Sequence, residues 1–358
     1  MRNLLILLSG FILIFTSCKN SPITESQNTA ESFTIVFYNV ENLFDTIDAP
    51  DKWDEEFTPG SEKNWDTKKY FKKLSNLADV FDSIGTKGLP AIIGLEEVEN
   101  RAVLEDLVKQ EKLAEAHYEI IHYESPDFRG IDNALLYNPQ IFTVLHQEAI
   151  PVSMPEEIAY RKNQKMTSRD ILYVKGLINK KDTLHVLVNH WTSMYYGEEE
   201  TIPHRAYCAS VLRDKINFIF AQNREANIIA GGDFNEDNFG PAVNNVLKAD
   251  TVLKQFELGQ LYSLTNYLNT VKGKGTYSYK GEWGILDHII VSGSLLQTNN
   301  SLFTHKDAID AFDSDLVLNY YNNKYGKGNR PNRTYAGNRY FGGYSDHLAT
   351  YIEFNSLP

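Results

Sequence analysis

Apolar, strand-forming runs that stop abruptly at acid, amide or imidazole groups constrain this chain more than any other feature. The clearest is Ile228-Ile229-Ala230, which passes through Gly231-Gly232 into Asp233-Phe234-Asn235. Side chains two positions apart on an extended backbone point to the same side. Asp233 and Asn235 can therefore enter one polar pocket at the end of a buried strand. The design recurs three times. Asn39 and Glu41 close the run at 33–40, Glu96-Glu97 follow Ala91-Ile92-Ile93-Gly94-Leu95, and Asn189-His190 follow Leu187-Val188. Asp287-His288 and Ser345-Asp346-His347 add two more polar groups further on. If these runs are neighbouring strands, all the polar groups meet at one edge.

The surrounding pattern indicates what carries the runs. Residues 66–83 and 101–113 have helical spacing; the first puts Tyr70, Leu74, Leu77, Val80 and Phe81 on one face. A long helix is read over 202–220, begun at Thr201 with Pro203 in its first turn. Strand candidates at 118–122, 133–137, 142–145, 171–178 and 183–188 come in series, and 277–279, 288–291 and 348–354 follow. Residues 45–65 and 322–338 read as loops. Helices fall after the first two strands and before the Asp233 strand. This order predicts an α/β (α+β) four-layer sandwich, two packed mixed β-sheets flanked by helices. The chain has neither a dinucleotide-type glycine loop nor a GxxxxGK[ST] motif.

The first 32 residues read as something other than fold. Arg2 gives a positive start, and residues 4–15 are mostly apolar but too short to span a bilayer, so 1–17 is expected to be a secretory signal. Ile14-Phe15-Thr16-Ser17-Cys18 resembles a bacterial lipobox, which implies cleavage before Cys18 and a lipid on its sulfur. A plain signal peptide with an incidental cysteine is the blander alternative. Residues 18–32, the lipidated cysteine and a polar stretch, would then tether a domain at 33–358 to the cell envelope. The expectation is an exported, lipid-anchored monomer that touches membrane through Cys18. The one other cysteine, Cys208, has no disulfide partner left and reads as a small core residue.

Formal net charge is −12, from 47 acidic and 35 basic side chains. A generic nucleic-acid binder shows a basic footprint, and this chain has none overall. Bound divalent cations would offset local negative charge. The polar clusters offer hard oxygen ligands suited to Mg²⁺, Mn²⁺ or Ca²⁺, whereas few histidines and no thiolate pair argue against zinc. Glu97 is the leading metal-ligand candidate, with Asp346 as a second carboxylate, direct or through water. Asp233 can orient or deprotonate an attacking water. Asn235 and Asn39 are neutral and can donate hydrogen bonds to a phosphate without repelling it. His190 and His347 can contact phosphate oxygens or exchange protons. Asp287 is a good partner behind His347, and Asp132 a weaker one behind His190. Arg205, at the start of the long helix, can reach phosphate or salt-bridge. Arg333 and Arg339, interleaved with Tyr335, Tyr340 and Tyr344, suit phosphate and base contacts, or a loop packed by its own tyrosines. Trp283 reads as core.

Each cluster alone has a bland reading as a solvated face or a capped turn. Their order is more specific. Phe37-Tyr38-Asn39-Val40-Glu41-Asn42, Gly94-Leu95-Glu96-Glu97-Val98-Glu99-Asn100, Val188-Asn189-His190, Gly232-Asp233-Phe234-Asn235, Leu286-Asp287-His288 and Ser345-Asp346-His347 resemble the endonuclease/exonuclease/phosphatase superfamily over about residues 33–355. By motif, the resemblance implies that Asn39 contacts the phosphate region and Glu97 binds Mg²⁺. Asp233 and Asn235 match the water-activating acid and its amide, and His190 the first family histidine. It also implies that Asp287 orients His347, that Asp346 assists the metal, and that His347 contacts the scissile phosphate. Three positions depart from the pattern. Glu96 stands where many members have Gln, His288 replaces a common Tyr, and Trp191 replaces a usual Leu, a change that could reshape the substrate cleft.

The expected function is divalent-metal-dependent hydrolysis of phosphate esters, first of all phosphodiester cleavage in nucleic acid. The alternatives are a phosphomonoesterase, a sphingomyelinase or an inositol-phosphate phosphatase of the same fold, and a non-catalytic surface binding module.

Overall fold

The computed structural model describes residues 31–85, 88–161 and 164–357. The expected signal segment, Cys18 and most of the tether lie outside the described residues. Glu31 and Ser32, expected in the tether, instead open the first strand, Glu31–Leu43, where they pair with Ser356 and Asn355.

Two sheets form the body. The first has six strands in the order Leu302–Ala311, Thr350–Ser356, Glu31–Leu43, Ile92–Val98, Asp132–Tyr137, Glu119–His122. The second has seven, in the order Ala249–Asp250, Leu261–Ser263, Asp287–Ser292, Asn227–Asp233, Asp182–His190, Ile171–Ile178, Phe142–Ile150. Each sheet has a parallel pair near its middle: Glu31–Leu43 with Ile92–Val98, and Asp182–His190 with Asn227–Asp233. A parallel pair needs a crossover, and helices Thr67–Ile84 and Glu198–Gln222 supply them. The first begins where the Asp66 carboxylate accepts from Lys69 N; the second has Glu198, Glu199 and Glu200 in its first turn, favourable at the positive end of the helix dipole. Both pairs therefore end at the same edge, and both end in polar groups.

The sheets pack face to face through Phe37, which sits so close to Gly231 that an added Cβ would lie 2.5 Å from its ring. That glycine lets the sheets approach. On the outer faces, Tyr38 meets Phe81 of the first helix edge-on at 6.2 Å. Cys208, Leu212 and Ile216 of the long helix cover Leu187 and Ile228. Cys208 is fully buried and free, as a small core residue. The layers are thus helix, sheet, sheet, helix, as the order of elements predicts.

Some expectations need correction. The 322–338 segment is not a bare loop: Leu318–Asn323 and Gly326–Pro331 form a hairpin, and Tyr335–Ala336 pairs with Arg339–Tyr340. Strand Leu302–Ala311 was not foreseen. Its register shifts between Thr304 and Ile309, so its inward positions do not alternate cleanly. Trp283, expected in the core, is 39% exposed in the Glu282–Gly284 strand of a small hairpin. The second predicted helix, 101–113, is two pieces, Arg101–Val108 and Glu111–Ala114.

Candidate active site at the shared edge of the sheets

Asp233 is the hub. It ends its strand fully buried, opposite His190 on one side and Asp287 on the other. One of its oxygens, Oδ1, accepts from Asn235 N at 2.8 Å. The other, Oδ2, accepts from Asn39 Nδ2 at 3.0 Å and Asn235 Nδ2 at 3.1 Å. The same oxygen lies 3.5 Å from His190 Nε2 and 3.8 Å from His347 Nε2. Side chains from both sheets and from the C-terminal loop thus converge on one carboxylate. Burial, first of all, and then the neighbouring Asp287 push Asp233 up from 3.8 to about 7, although His347, Asn235 and Asn39 pull the other way.

The approach to Asp233 uses backbone that few residues adopt. Gly232 has φ +120°, and a Cβ there would meet Asn189 O at 2.2 Å and Glu96 Oε1 at 2.6 Å. Asn235 has φ +47°, which an asparagine tolerates. Phe234 between them is buried, stacked on Trp191 at 4.1 Å and on His288 at 5.0 Å. His288 Nε2 also lies 2.9 Å from Glu236 O. His288 thus wedges the turn that aims Asp233. Trp191 is buried in the same stack and does not line a cleft, contrary to the expectation that it reshapes one.

The two histidines differ in their support. His347 Nδ1 lies 2.9 and 3.1 Å from the two oxygens of Asp287, and its ring rests on Tyr277 at 4.9 Å. Burial lowers its pKa, but Asp287 and Asp233 outweigh that and hold it well above 6.5. His190 Nδ1 is buried without a partner. Burial, then Arg169 and Arg129, push it well below 6.5. The weak guess that Asp132 stands behind His190 is wrong. Asp132 Oδ2 pairs with His122 Nε2 at 3.1 Å and its Oδ1 accepts from Ser125 N at 2.7 Å. The group that does support His190 is Arg169, which donates to the carbonyls of His190 and Trp191 and pairs with Asp127. Nothing in Ser168-Arg169-Asp170 signals this in the sequence, because the contact is to backbone.

Glu97 sits at a bulge with φ +65°. Its Oε2 accepts from Asn42 N at 2.8 Å, while Oε1 has long neighbours, Asn39 Nδ2 at 3.4 Å and His190 Nε2 at 3.9 Å. That leaves lone pairs on a 13%-exposed carboxylate for a hard cation. Among the described residues, Asp233, Asp287 and His347 also offer ligand atoms all within 4.8 Å of one another. Asp346 is not in that group; it pairs with Arg333 Nη2 at 2.5 Å. Glu96, the neighbour of Glu97, is fully buried with neither oxygen hydrogen-bonded. Burial, then Asp287 and Asp233, push it well above 4.5. Its protonated form is thereby favoured, and a protonated carboxyl is chemically close to the glutamine common at that position.

Arg205 does not reach the site. It is 1% exposed, paired with Glu236, bonded to Thr201 Oγ1 and donating to Glu198 O at 3.0 Å. Glu236 in turn accepts from Ala242 N. This arginine fixes the chain after Asn235, a structural task. Arg333 stands at the rim, its side chain 35% exposed, between Asp346 and Glu41. Arg339 lies over Phe341 at 4.9 Å, and Tyr335 packs on Tyr340, so that loop largely packs on itself. Two charged residues stand behind it, Glu41 from the first polar cluster and Lys73, which nothing in the sequence signals. Glu41 accepts from Thr334 N at 2.6 Å and Tyr335 N at 3.2 Å, and buried Lys73 donates to Thr334 Oγ1 and Tyr344 O. Together they fasten the loop that delivers Asp346 and His347.

Comparison with known proteins identifies the family and the fold. A family model described as "Endonuclease/Exonuclease/phosphatase family" matches residues 34–356. No curated protein sequence matches the chain. Solved structures share the fold at low identity. An endonuclease/exonuclease/phosphatase family protein from Bacteroides thetaiotaomicron is similar with a TM-score of 0.54 at 14% identity, over 91% of this chain and 98% of that one. TDP2 from D. rerio, solved with a single-strand DNA product, gives 0.53 at 16%, over 91% and 99%. Truncated TDP2 from Caenorhabditis elegans gives 0.51 at 15%, over 91% and 98%.

Proposed function

Because this chain belongs to the endonuclease/exonuclease/phosphatase family, we propose that it is a divalent-metal-dependent phosphodiesterase whose substrate is nucleic acid. The observation that carries the reading is the convergence of Asn39, Asn235, His190 and His347 on buried Asp233, with Glu97 alongside. Such a constellation is suited to in-line attack of water on phosphorus. Asp233, with its raised pKa, takes the proton from water. Asn39 and Asn235 orient Asp233 and present amide hydrogens beside the phosphate. His347, held cationic by Asp287, offers a charged donor to a phosphate oxygen, and neutral His190 offers a second donor. The open oxygen of Glu97 fits a hard divalent ion, Mg²⁺ first and Mn²⁺ or Ca²⁺ after it, with Asp346 assisting from the rim. When bound, that ion supplies charge to polarise the phosphoryl group and steady the leaving oxygen.

TDP2 with its single-strand DNA product lends support to a nucleic-acid substrate by analogy of fold. The net charge of −12 favours the second reading, a non-nucleic phosphate ester such as an inositol phosphate or sphingomyelin. Plasmid nicking with Mg²⁺ and with EDTA tests the first. Cleavage with metal alone is expected; inertness toward DNA and RNA, with turnover of one of the other esters, moves the assignment to the second. Loss of all turnover on every ester would leave the non-catalytic module. For the N-terminal segment, we propose export and lipid attachment at Cys18 of an otherwise monomeric domain. Radiolabelled palmitate incorporated by wild type and absent from Cys18→Ser tests this, as an unlabelled wild type would end it.

A further inference from the structure

Beside the site lies a cavity of about 150 Å³, lined by Glu41, Asn42, Phe57, Lys63, Arg333 and Tyr335 among others. Three of these residues bond directly to site residues. Asn42 N holds Glu97, Glu41 N donates to Asn39 Oδ1 at 3.0 Å, and Arg333 Nη2 holds Asp346. The cavity therefore begins where the proposed phosphate site ends. It is several times the roughly 30 Å³ that one water occupies, so it admits a phosphate-sized group.

Its lining carries two cations and one acid. The acid, Glu41, is turned to backbone: Thr334 N and Tyr335 N both donate to it. Arg333 Nε is buried with no good hydrogen bond, its nearest acid oxygen being Glu41 Oε1 at 3.5 Å. Lys63 Nζ is suspended between two rings, 5.3 Å from the centre of Phe57 and 5.0 Å from that of Tyr335. It touches Gly337 O and Glu56 at 3.3 Å each, but the Glu56 side chain is 59% exposed. An exposed ion pair of that kind contributes little and exchanges readily for a better anion. Lys63 itself is only 10% exposed, so its charge is directed along the cavity wall rather than dispersed into water.

We propose that this cavity is a subsite for a second anionic group, a phosphate flanking the scissile one, held by Lys63 and Arg333 against the Phe57 and Tyr335 rings. The inference rests on the hydrolase reading and narrows it: the preferred substrates carry phosphates in series. The net charge of −12 disfavours such a molecule overall, and this pocket gives it a favourable seat beside the site.

The test compares two substrates and one ligand. The substrates are the 4-nitrophenyl ester of thymidine 5′-phosphate, with and without a 3′-phosphate, assayed with Mg²⁺. Wild type is expected to prefer the phosphorylated ester in KM. In Lys63→Ala the ratio of kcat/KM between the two esters falls about fivefold, the effect of losing one partly buried charge contact, and Lys63→Arg restores it. A merely structural role would lower both esters together and leave the ratio where it was, which overturns the proposal. The ligand is inorganic pyrophosphate, titrated calorimetrically into metal-free protein in EDTA. Its affinity is expected to drop about fivefold in Lys63→Ala. If wild type hydrolyses neither ester, the hydrolase reading falls alone, because the titration still judges the cavity. Equal affinity in wild type and Lys63→Ala removes the subsite even from an active enzyme.

Discussion

His190 and His347 flank the same oxygen of Asp233, at 3.5 and 3.8 Å, and their surroundings push their pKa values in opposite directions. His347 comes from the loop before the last strand and has a carboxylate directly behind it. His190 comes from the end of a central strand and has an arginine behind its backbone and an empty Nδ1. Both are buried, so burial alone would leave both neutral. The difference teaches that flanking charge decides: Asp287, with Asp233 beside it, raises one imidazole, while Arg169 and Arg129 add to burial in lowering the other. Paired groups with environments that drive their protonation apart are how one site serves as acid and base together.

The sharpest way to break this contrast is to replace each imidazole with a neutral amide. His347→Gln is expected to lower kcat by about 10³-fold, whereas His190→Gln, which keeps a neutral donor, costs about tenfold. Equal losses would mean that the charge difference has no role in turnover. Next in size, Asp287→Asn leaves His347 in place but removes its counter-charge. Turnover should fall about 10²-fold, and the alkaline limb of the pH–kcat profile should move to lower pH. An unshifted limb would show that something other than Asp287 keeps His347 protonated.

The smallest effect concerns stability. Asp233 is raised from 3.8 to about 7 in the fold, so its protonated form is the favoured one. Its contribution is complete below about pH 3.8 and is lost as pH climbs through about 7. His347, raised above 6.5, follows the same sign: its contribution is complete below 6.5 and is lost as pH rises through its folded value. Metal-free wild type should thus weaken between pH 4 and 8. Asp233→Asn should melt about 2–4 °C higher than wild type at pH 8 in EDTA and no higher at pH 4. Identical melting curves at pH 8 would mean that Asp233 ionises without cost.

Much of this site is legible in the sequence because strand ends are. A buried strand shows as an apolar run, and the first polar residues after it must sit at the sheet edge; Asn39, Glu97, His190, Asp233 and Asp287 were all found in that way. What was illegible depends on contacts rather than patterns. Arg205 looks the same in sequence whether it faces phosphate or Glu236, and only the fold shows the latter. Asp132 belongs to the other sheet from His190, and its ring partner, His122, comes from the neighbouring edge strand. Strand Leu302–Ala311 hides its period behind a bulge, and the hairpin at 318–331 exposes most of its side chains, so no apolar rhythm marks it. Lys73 carries charge into the interior from a helix, where composition gives no reason to expect it.

The Ser345 hydroxyl donates to the carbonyl of Asn39, across 306 positions of chain. The opening strand and the closing strand lie side by side, and the reaction centre straddles the join. The site therefore stays incomplete until strands from both stretches of the chain, Glu31–Leu43 and Thr350–Ser356, are in place. Removal of residues 347–357 would take away His347 together with the strand Thr350–Ser356, so the shared edge would lose an imidazole and the neighbour of its first strand at once.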